Sequence, residues 1–155
     1  MSSSRLSYST LMPKGYQAML ALSAIVDASS IGKKLVDLVF LRVSQVNGCA
    51  YCIDLHARDL LANGEDWQRV NSLVGWRETS FYSARERAAL AWAEAVTAIA
   101  DTHAPDALFE ALKEHFADVE ITELTYAITL MNAWNRLGIS FQLPVKRAAS
   151  AGVAL

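Results

Sequence analysis

Two cysteines and one histidine supply the reactive groups of this sequence: Cys49, Cys52 and His56, spaced as CxxC-x3-H. On a helix, residues three apart bring their Cα atoms within roughly 5–6 Å, inside the range a disulfide tolerates. A dithiol so placed can close and open without unfolding the helix. Stepping about 100° per residue from Cys49 puts Cys52, Ile53, His56, Ala57 and Leu60 on one side. Asp54 and Arg58 fall on the other side, four apart and opposite in charge, which suits a solvated face. Both thiols and the imidazole are therefore expected on the stripe that faces the core. If the helix begins near Cys49, both cysteines lie in its first turn, where the helix dipole and free N–H groups favour thiolate. His56 follows Cys52 by four residues, so its ring can reach that sulfur as proton acceptor or donor.

Two other uses of these residues are open. Free cysteines are often inert core residues, although the shared face with His56 argues for chemistry. Two cysteines and a histidine are also three zinc ligands, but structural zinc needs a fourth. The remaining histidines, His103 and His115, fall in polar stretches read as surface. No metal and no cofactor is expected. Asp37 interrupts the apolar run Leu35-Val36-Asp37-Leu38-Val39-Phe40-Leu41. A carboxylate there needs a wet face or a partner, and helical spacing groups it with Lys34, Leu41 and Ser44. Trp67, Trp76, Trp92 and Trp134 read as core or interface packing.

The chain that must position these groups has 155 residues, enough for one domain with a real core. Hydrophobic residues make up 53% and charged residues 19%, an apolar balance that points to buried subunit interface and a homo-oligomer. The net charge is −2, with Lys and Arg dispersed. Nucleic acid is therefore not an expected partner. No run of about 18 uncharged apolar residues is present, so no membrane span is expected. The stretch Met1-Ser2-Ser3-Ser4-Arg5-Leu6 reads as lacking a leader peptide. The expected compartment is the cytoplasm, where structural disulfides are rare and a CxxC pair suggests redox chemistry or a metal.

Helical periodicity dominates, and Gly (7) and Pro (3) are scarce enough to permit it. Helices are expected over Pro13 to about Ser29, Lys33 to Val46, Cys49 to Asn63-Gly64, and Asp66 to Val74. Three more follow, from the capping box Ser83-Ala84-Arg85-Glu86 to about Ala100, from Pro105 to Phe116, and from Glu120 to Gly138. Trp92, Val96 and Ile99 would share one face of the fifth of these, and Leu124, Ile128 and Met131 one face of the last. About seven helices in a single domain over 1–155 make an all-α bundle.

The stretch Leu41-Arg42-Val43-Ser44-Gln45-Val46-Asn47-Gly48-Cys49-Ala50-Tyr51-Cys52-Ile53-Asp54-Leu55-His56 resembles the signature of the alkyl hydroperoxidase D-like (AhpD-like), or carboxymuconolactone decarboxylase-like, superfamily. Trp76-Arg77-Glu78-Thr79 and Asn132-Ala133-Trp134-Asn135-Arg136 resemble it too, and the likeness spans roughly residues 15–143. It implies an all-α fold assembling as trimers or hexamers, and a dithiol that reduces hydroperoxides in antioxidant defence. It further implies Cys52 as the attacking and Cys49 as the resolving cysteine, with His56 as the family histidine and Asp37 at the family's glutamate position. The reductant in the family can be a lipoylated carrier, so an external dithiol is the implied partner. Two positions depart from the pattern. Asp37 is a methylene shorter than glutamate, and Tyr51 stands where the best-studied branch has a second histidine. Both touch the proton relay and leave the dithiol intact.

Residue chemistry favours the same sulfur. Cys49 is nearer the helix start, worth about 0.3–1 kcal/mol to an exposed thiolate. Cys52 has His56 one turn on, and a paired imidazolium depresses a thiol pKa by more than that. The competing readings are a lactone decarboxylase-like enzyme, which would not depend on the cysteine pair, and a non-catalytic oligomeric module that senses redox state or binds zinc.

Overall fold

The computed structural model describes residues 4–146. Met1, Ser2 and Ser3 of the supposed leaderless start, and both ends of the 1–155 domain assignment, lie outside the described residues. The described chain is all helix and loop, with nine α-helices: α1 (Tyr8–Leu11), α2 (Pro13–Asp27), α3 (Lys33–Asn47), α4 (Ala50–Ala62), α5 (Trp67–Ser72), α6 (Ala84–Thr97), α7 (Ile99–Thr102), α8 (Asp106–Lys113) and α9 (Asp118–Ser140). A 3-10 segment, Leu73–Glu78, extends α5.

All seven expected helices are present, within a few residues at their ends. The two extra ones are single turns. α7 is a correction: the expected fifth helix stops at Thr97 because Ala98 leaves helical geometry. Ile99 then opens a separate turn and is exposed rather than aligned with Trp92. The Thr102 hydroxyl fixes that break by donating to the Ala95 carbonyl at 2.6 Å.

α3 is the central helix. Nine of its residues are buried, from Leu35 to Ser44, and it packs against α4, α6 and α9. Val36, Val39 and Val43 are fully covered, meeting Leu90 of α6 and Leu124 and Ile128 of α9 within one core. Truncating a fully buried leucine in such a core costs about 2–5 kcal/mol. The other long helices are amphipathic around this axis. α2 is the exception, burying only Val26 and exposing Leu20 and Ile25.

α3 ends where the cysteines begin. Gly48 sits in the left-handed region (φ +71°), and the Cys49 N–H returns to the Ser44 carbonyl at 3.0 Å. Only glycine takes this conformation without a Cβ penalty. The turn delivers Cys49 as the N-cap of α4, one residue earlier than the expected place inside the first turn.

Below that turn, a buried amide network clamps α3 to α9. Asn47 Nδ2 donates to Asn132 Oδ1 (3.0 Å) and Asn135 Oδ1 (2.9 Å). Asn135 Nδ2 donates to Ser44 Oγ (3.0 Å), and Asn132 Nδ2 to Thr97 Oγ1 (3.0 Å). The Trp76-Arg77 segment is tied down by Glu94 of α6. Its carboxylate accepts from Trp76 Nε1 (2.8 Å) and Arg42 Nε (2.7 Å), and pairs with Arg77 at 2.6 Å. Burial works to raise the Glu94 pKa, but these donors outweigh it and hold it below the usual range.

Candidate functional site

Four elements converge on the cysteine pair. Cys49 caps α4, its sulfur accepting from the Cys52 N–H at 3.4 Å. Cys52 lies one turn in, and the two form a disulfide with Cα atoms 5.3 Å apart. α9 crosses over this bond at Gly138. A Cβ built there would stand 3.2 Å from Cys49 Sγ and 3.6 Å from Cys52 Sγ, so glycine lets the helix approach the bond closely.

His56 is on the same face of α4, as expected, and is buried with both cysteines. Its ring packs edge-on against Phe40 of α3, centroids 5.2 Å apart. Nδ1 is buried without a hydrogen-bond partner among the described residues; Asp59 Oδ2 is 3.9 Å away, beyond bonding range. Burial, with help from the Lys33 charge, pushes the His56 pKa down to about 4. The imidazole is therefore neutral near pH 7. With the disulfide closed, the ring is a free base, able to take up a proton.

Asp37 is only 1% exposed. Of the two options open to it, a wet face or a partner, the structure gives the partner, Lys33, the residue before the Lys34 that helical spacing groups with it. Lys33 Nζ hydrogen-bonds Asp37 Oδ1 from one turn earlier and lies 3.6 Å from Asp27. Lys34 points elsewhere and pairs with Glu65 at 3.4 Å. Asp37 Oδ2 is buried with no hydrogen-bond partner among the described residues. Burial raises the Asp37 pKa above its usual value, with the Lys33 hydrogen bond only partly offsetting it. For Lys33, burial opposes the charged form, but the Asp37 bond and charge outweigh that and raise its pKa.

Cys52, His56, Asp37 and Lys33 all line one cavity of about 290 Å³. Cys49 does not; it sits behind the wall, against Gly138. Tyr8, Tyr16, Tyr51 and Trp134 supply aromatic walls, with Leu20, Leu55 and Met131 between them. The N-terminal segment is held over this region. Arg5 N–H donates to the Phe141 carbonyl at 2.8 Å, and Tyr8 stacks on Phe141 at 5.5 Å.

All four candidate residues thus share one site, three of them with Lys33 on the cavity surface. The sequence reading missed Lys33, although the i, i+4 spacing to Asp37 was a usable signal. It also missed Gly138; Trp134 packs against the core as expected and in addition walls the cavity. Trp76 and Trp92 are indeed buried, whereas Trp67 is exposed. His103 is exposed, and His115 is half-buried, its carbonyl accepting from Arg85. Asp54 and Arg58 pair on the outer face of α4, as expected. Among the described residues no group of three or more His, Cys, Asp or Glu side chains is arranged to hold a metal ion.

Known proteins resemble this chain in sequence and fold. Residues 13–95 match the carboxymuconolactone decarboxylase family. YdfG of Bacillus subtilis (strain 168), itself uncharacterised, is 38% identical over 148 residues, covering 96% of this chain and 99% of YdfG. The crystal structure of an Agrobacterium tumefaciens protein of unknown function, a candidate antioxidant-defence protein AhpD, superposes with a TM-score of 0.89. It is 40% identical, over 93% of this chain and all of that one. The debrominase Bmp8 matches with a TM-score of 0.78 at 22% identity, over 86% of this chain and 72% of its own, a likeness of fold alone. The chain belongs to the carboxymuconolactone decarboxylase family and has its AhpD-like, all-α fold.

Proposed function

We propose that this chain reduces organic hydroperoxides with the Cys49–Cys52 dithiol. One observation carries the reading: Cys52 is the sulfur of the pair on the cavity wall, and a neutral, buried His56 lies one turn away on the same wall. In the reduced protein, His56 takes the Cys52 proton. The thiolate attacks the terminal oxygen of ROOH, the O–O bond breaks, and Cys52 becomes a sulfenic acid. The departing alkoxide takes the proton from His56 and leaves as ROH. Cys49 then attacks the Cys52 sulfur, forming the disulfide and releasing water. An external dithiol reopens the bond by exchange, becoming a disulfide itself. Asp37 and Lys33 act as one hydrogen-bonded unit on the cavity wall and set the field around His56.

Other parts of the reading follow from the chemistry and the surface. A dithiol that must be re-reduced every cycle suits a reducing compartment such as the cytoplasm. The external dithiol in this reading is a lipoyl-type carrier, as the family resemblance implies. No helix among the described residues is long and apolar enough to cross a membrane. Leu11, Ile25 and Val74 are each about two-thirds exposed (67%, 68% and 66%), which supports self-association; the trimer or hexamer is what the family resemblance implies.

The test is consumption of cumene hydroperoxide by the purified protein with excess dithiothreitol. The reading expects turnover in the wild type and none in the Cys49→Ser/Cys52→Ser double variant. No turnover in the wild type overturns it. Because this fold also hosts a debrominase, fold alone does not choose the reaction; turnover of the peroxide does.

A further inference from the structure

The cavity wall has a charge pattern as well as a shape. Five of its side chains are aromatic: Tyr8, Tyr16, Phe40, Tyr51 and Trp134. Its ionisable members besides the tyrosines and Cys52 are three carboxylates (Asp27, Asp37 and Asp59), one ammonium (Lys33) and His56. Lys33 is already engaged, hydrogen-bonded to Asp37 and 3.6 Å from Asp27. His56 is uncharged near neutral pH. Three negative charges against one positive leave −2, or −1 when Asp37 holds a proton. The one buried oxygen without a partner on this wall, Asp37 Oδ2, is an acceptor rather than a donor whenever Asp37 is ionised.

We infer that the cavity selects neutral, aromatic-bearing hydroperoxides and turns away those that carry a carboxylate. This rests on the peroxide-reducing reading for the identity of the reacting group, but the selection itself is a property of the wall. A carboxylate entering here loses water and meets no uncommitted cation among the described residues to replace it. The neighbouring acids repel it further. A neutral aromatic ring loses nothing comparable and gains apolar contact with five rings. Asp27 and Asp59 are the specificity residues in this account. Both are roughly half exposed at the cavity wall, where they set its sign.

The product alcohols test this without any turnover. Isothermal titration at pH 7.5 would compare 2-phenyl-2-propanol with its para-carboxylate and its para-aminomethyl derivative. The carboxylate is expected to bind at least tenfold more weakly than the neutral alcohol, and the ammonium no more weakly than it. Asp27→Asn/Asp59→Asn should shrink the carboxylate penalty to threefold or less, and Lys33→Met should enlarge it. Equal or tighter binding of the carboxylate overturns the inference. So does equal weakening of both charged forms, which would show a response to polarity rather than to sign, and so does no binding of any of the three. These alcohols do not react, so charge-ordered binding without peroxide turnover would defeat the peroxide reading and leave this one standing.

Discussion

Gly138 of α9 stands directly against Cys49: a Cβ at position 138 would lie 3.2 Å from the Cys49 sulfur. Glycine in a helix interior costs about 0.8–1 kcal/mol relative to alanine. Here that cost accompanies the close approach of α9 to the dithiol. Cys49 sits against α9 there, and Cys52 is the sulfur of the pair that lines the cavity.

A branched side chain at 138 has no room. Gly138→Val is expected to destabilise the protein by about 1–3 kcal/mol through overpacking, read as a lower midpoint in urea unfolding. It should also slow peroxide consumption, because the sulfurs can yield only by moving along α4. Unchanged stability and unchanged turnover would show that α9 yields there at no cost.

Asn135 is fully buried and serves both Asn47 and Ser44. Asn135→Ala removes both bonds and strands the buried Ser44 hydroxyl at about 1–3 kcal/mol, while the half-buried Asn47 amide keeps Asn132. A loss of about 1–3 kcal/mol in urea unfolding is expected. A loss under 1 kcal/mol would mean that the amide network does not hold α3 to α9.

His56 gives the protein a pH signature. Between pH 6.5 and about 4, the unfolded chain protonates this histidine while the folded chain does not. The stability that neutral His56 contributes is complete above pH 6.5 and is lost as the pH falls toward 4, on the order of 3 kcal/mol in all. Wild type should lose about 2–3 kcal/mol more than His56→Leu between pH 7.5 and 4.5. Parallel losses would place His56 in a wetter, more ordinary setting.

Assembly is checked by sedimentation at micromolar concentration. Apolar residues left exposed on α2 and around Val74 predict a homo-oligomer, and the family resemblance a trimer or hexamer. A clean 17.0 kDa species would contradict this.

Much of the fold could be read from local signals. Ser83 and Glu86 form the capping box their spacing suggests, and Gly48 and Gly64 take the left-handed stops. Cys49, Cys52 and His56 share a face because helical periodicity requires it. Other features depended on tertiary contacts. The apolar period runs straight through Ala98 to Ile99, and the break comes from the Thr102 hydroxyl reaching back to Ala95. Lys33 and Lys34 are equally plausible partners for Asp37 on a helical wheel; the nearby Glu65 draws Lys34 away. Trp134 packs against the core as its sequence suggests, and its second role as a cavity wall appears only when α2, α4 and α9 are assembled. The neutrality of His56 comes from burial against Phe40, which spacing along one helix does not reveal.

The account turns on which sulfur attacks. Reduced Cys49→Ser and Cys52→Ser proteins would each be mixed with one equivalent of cumene hydroperoxide in a stopped-flow instrument. Any sulfenic acid would be trapped with dimedone and located by peptide mass spectrometry. Cys49→Ser should give one fast turnover and an adduct on Cys52, while Cys52→Ser should consume no peroxide above the uncatalysed rate. The contrary result, with turnover kept in Cys52→Ser and an adduct on Cys49, would mean that the helix N-terminus rather than His56 and the cavity selects the nucleophile.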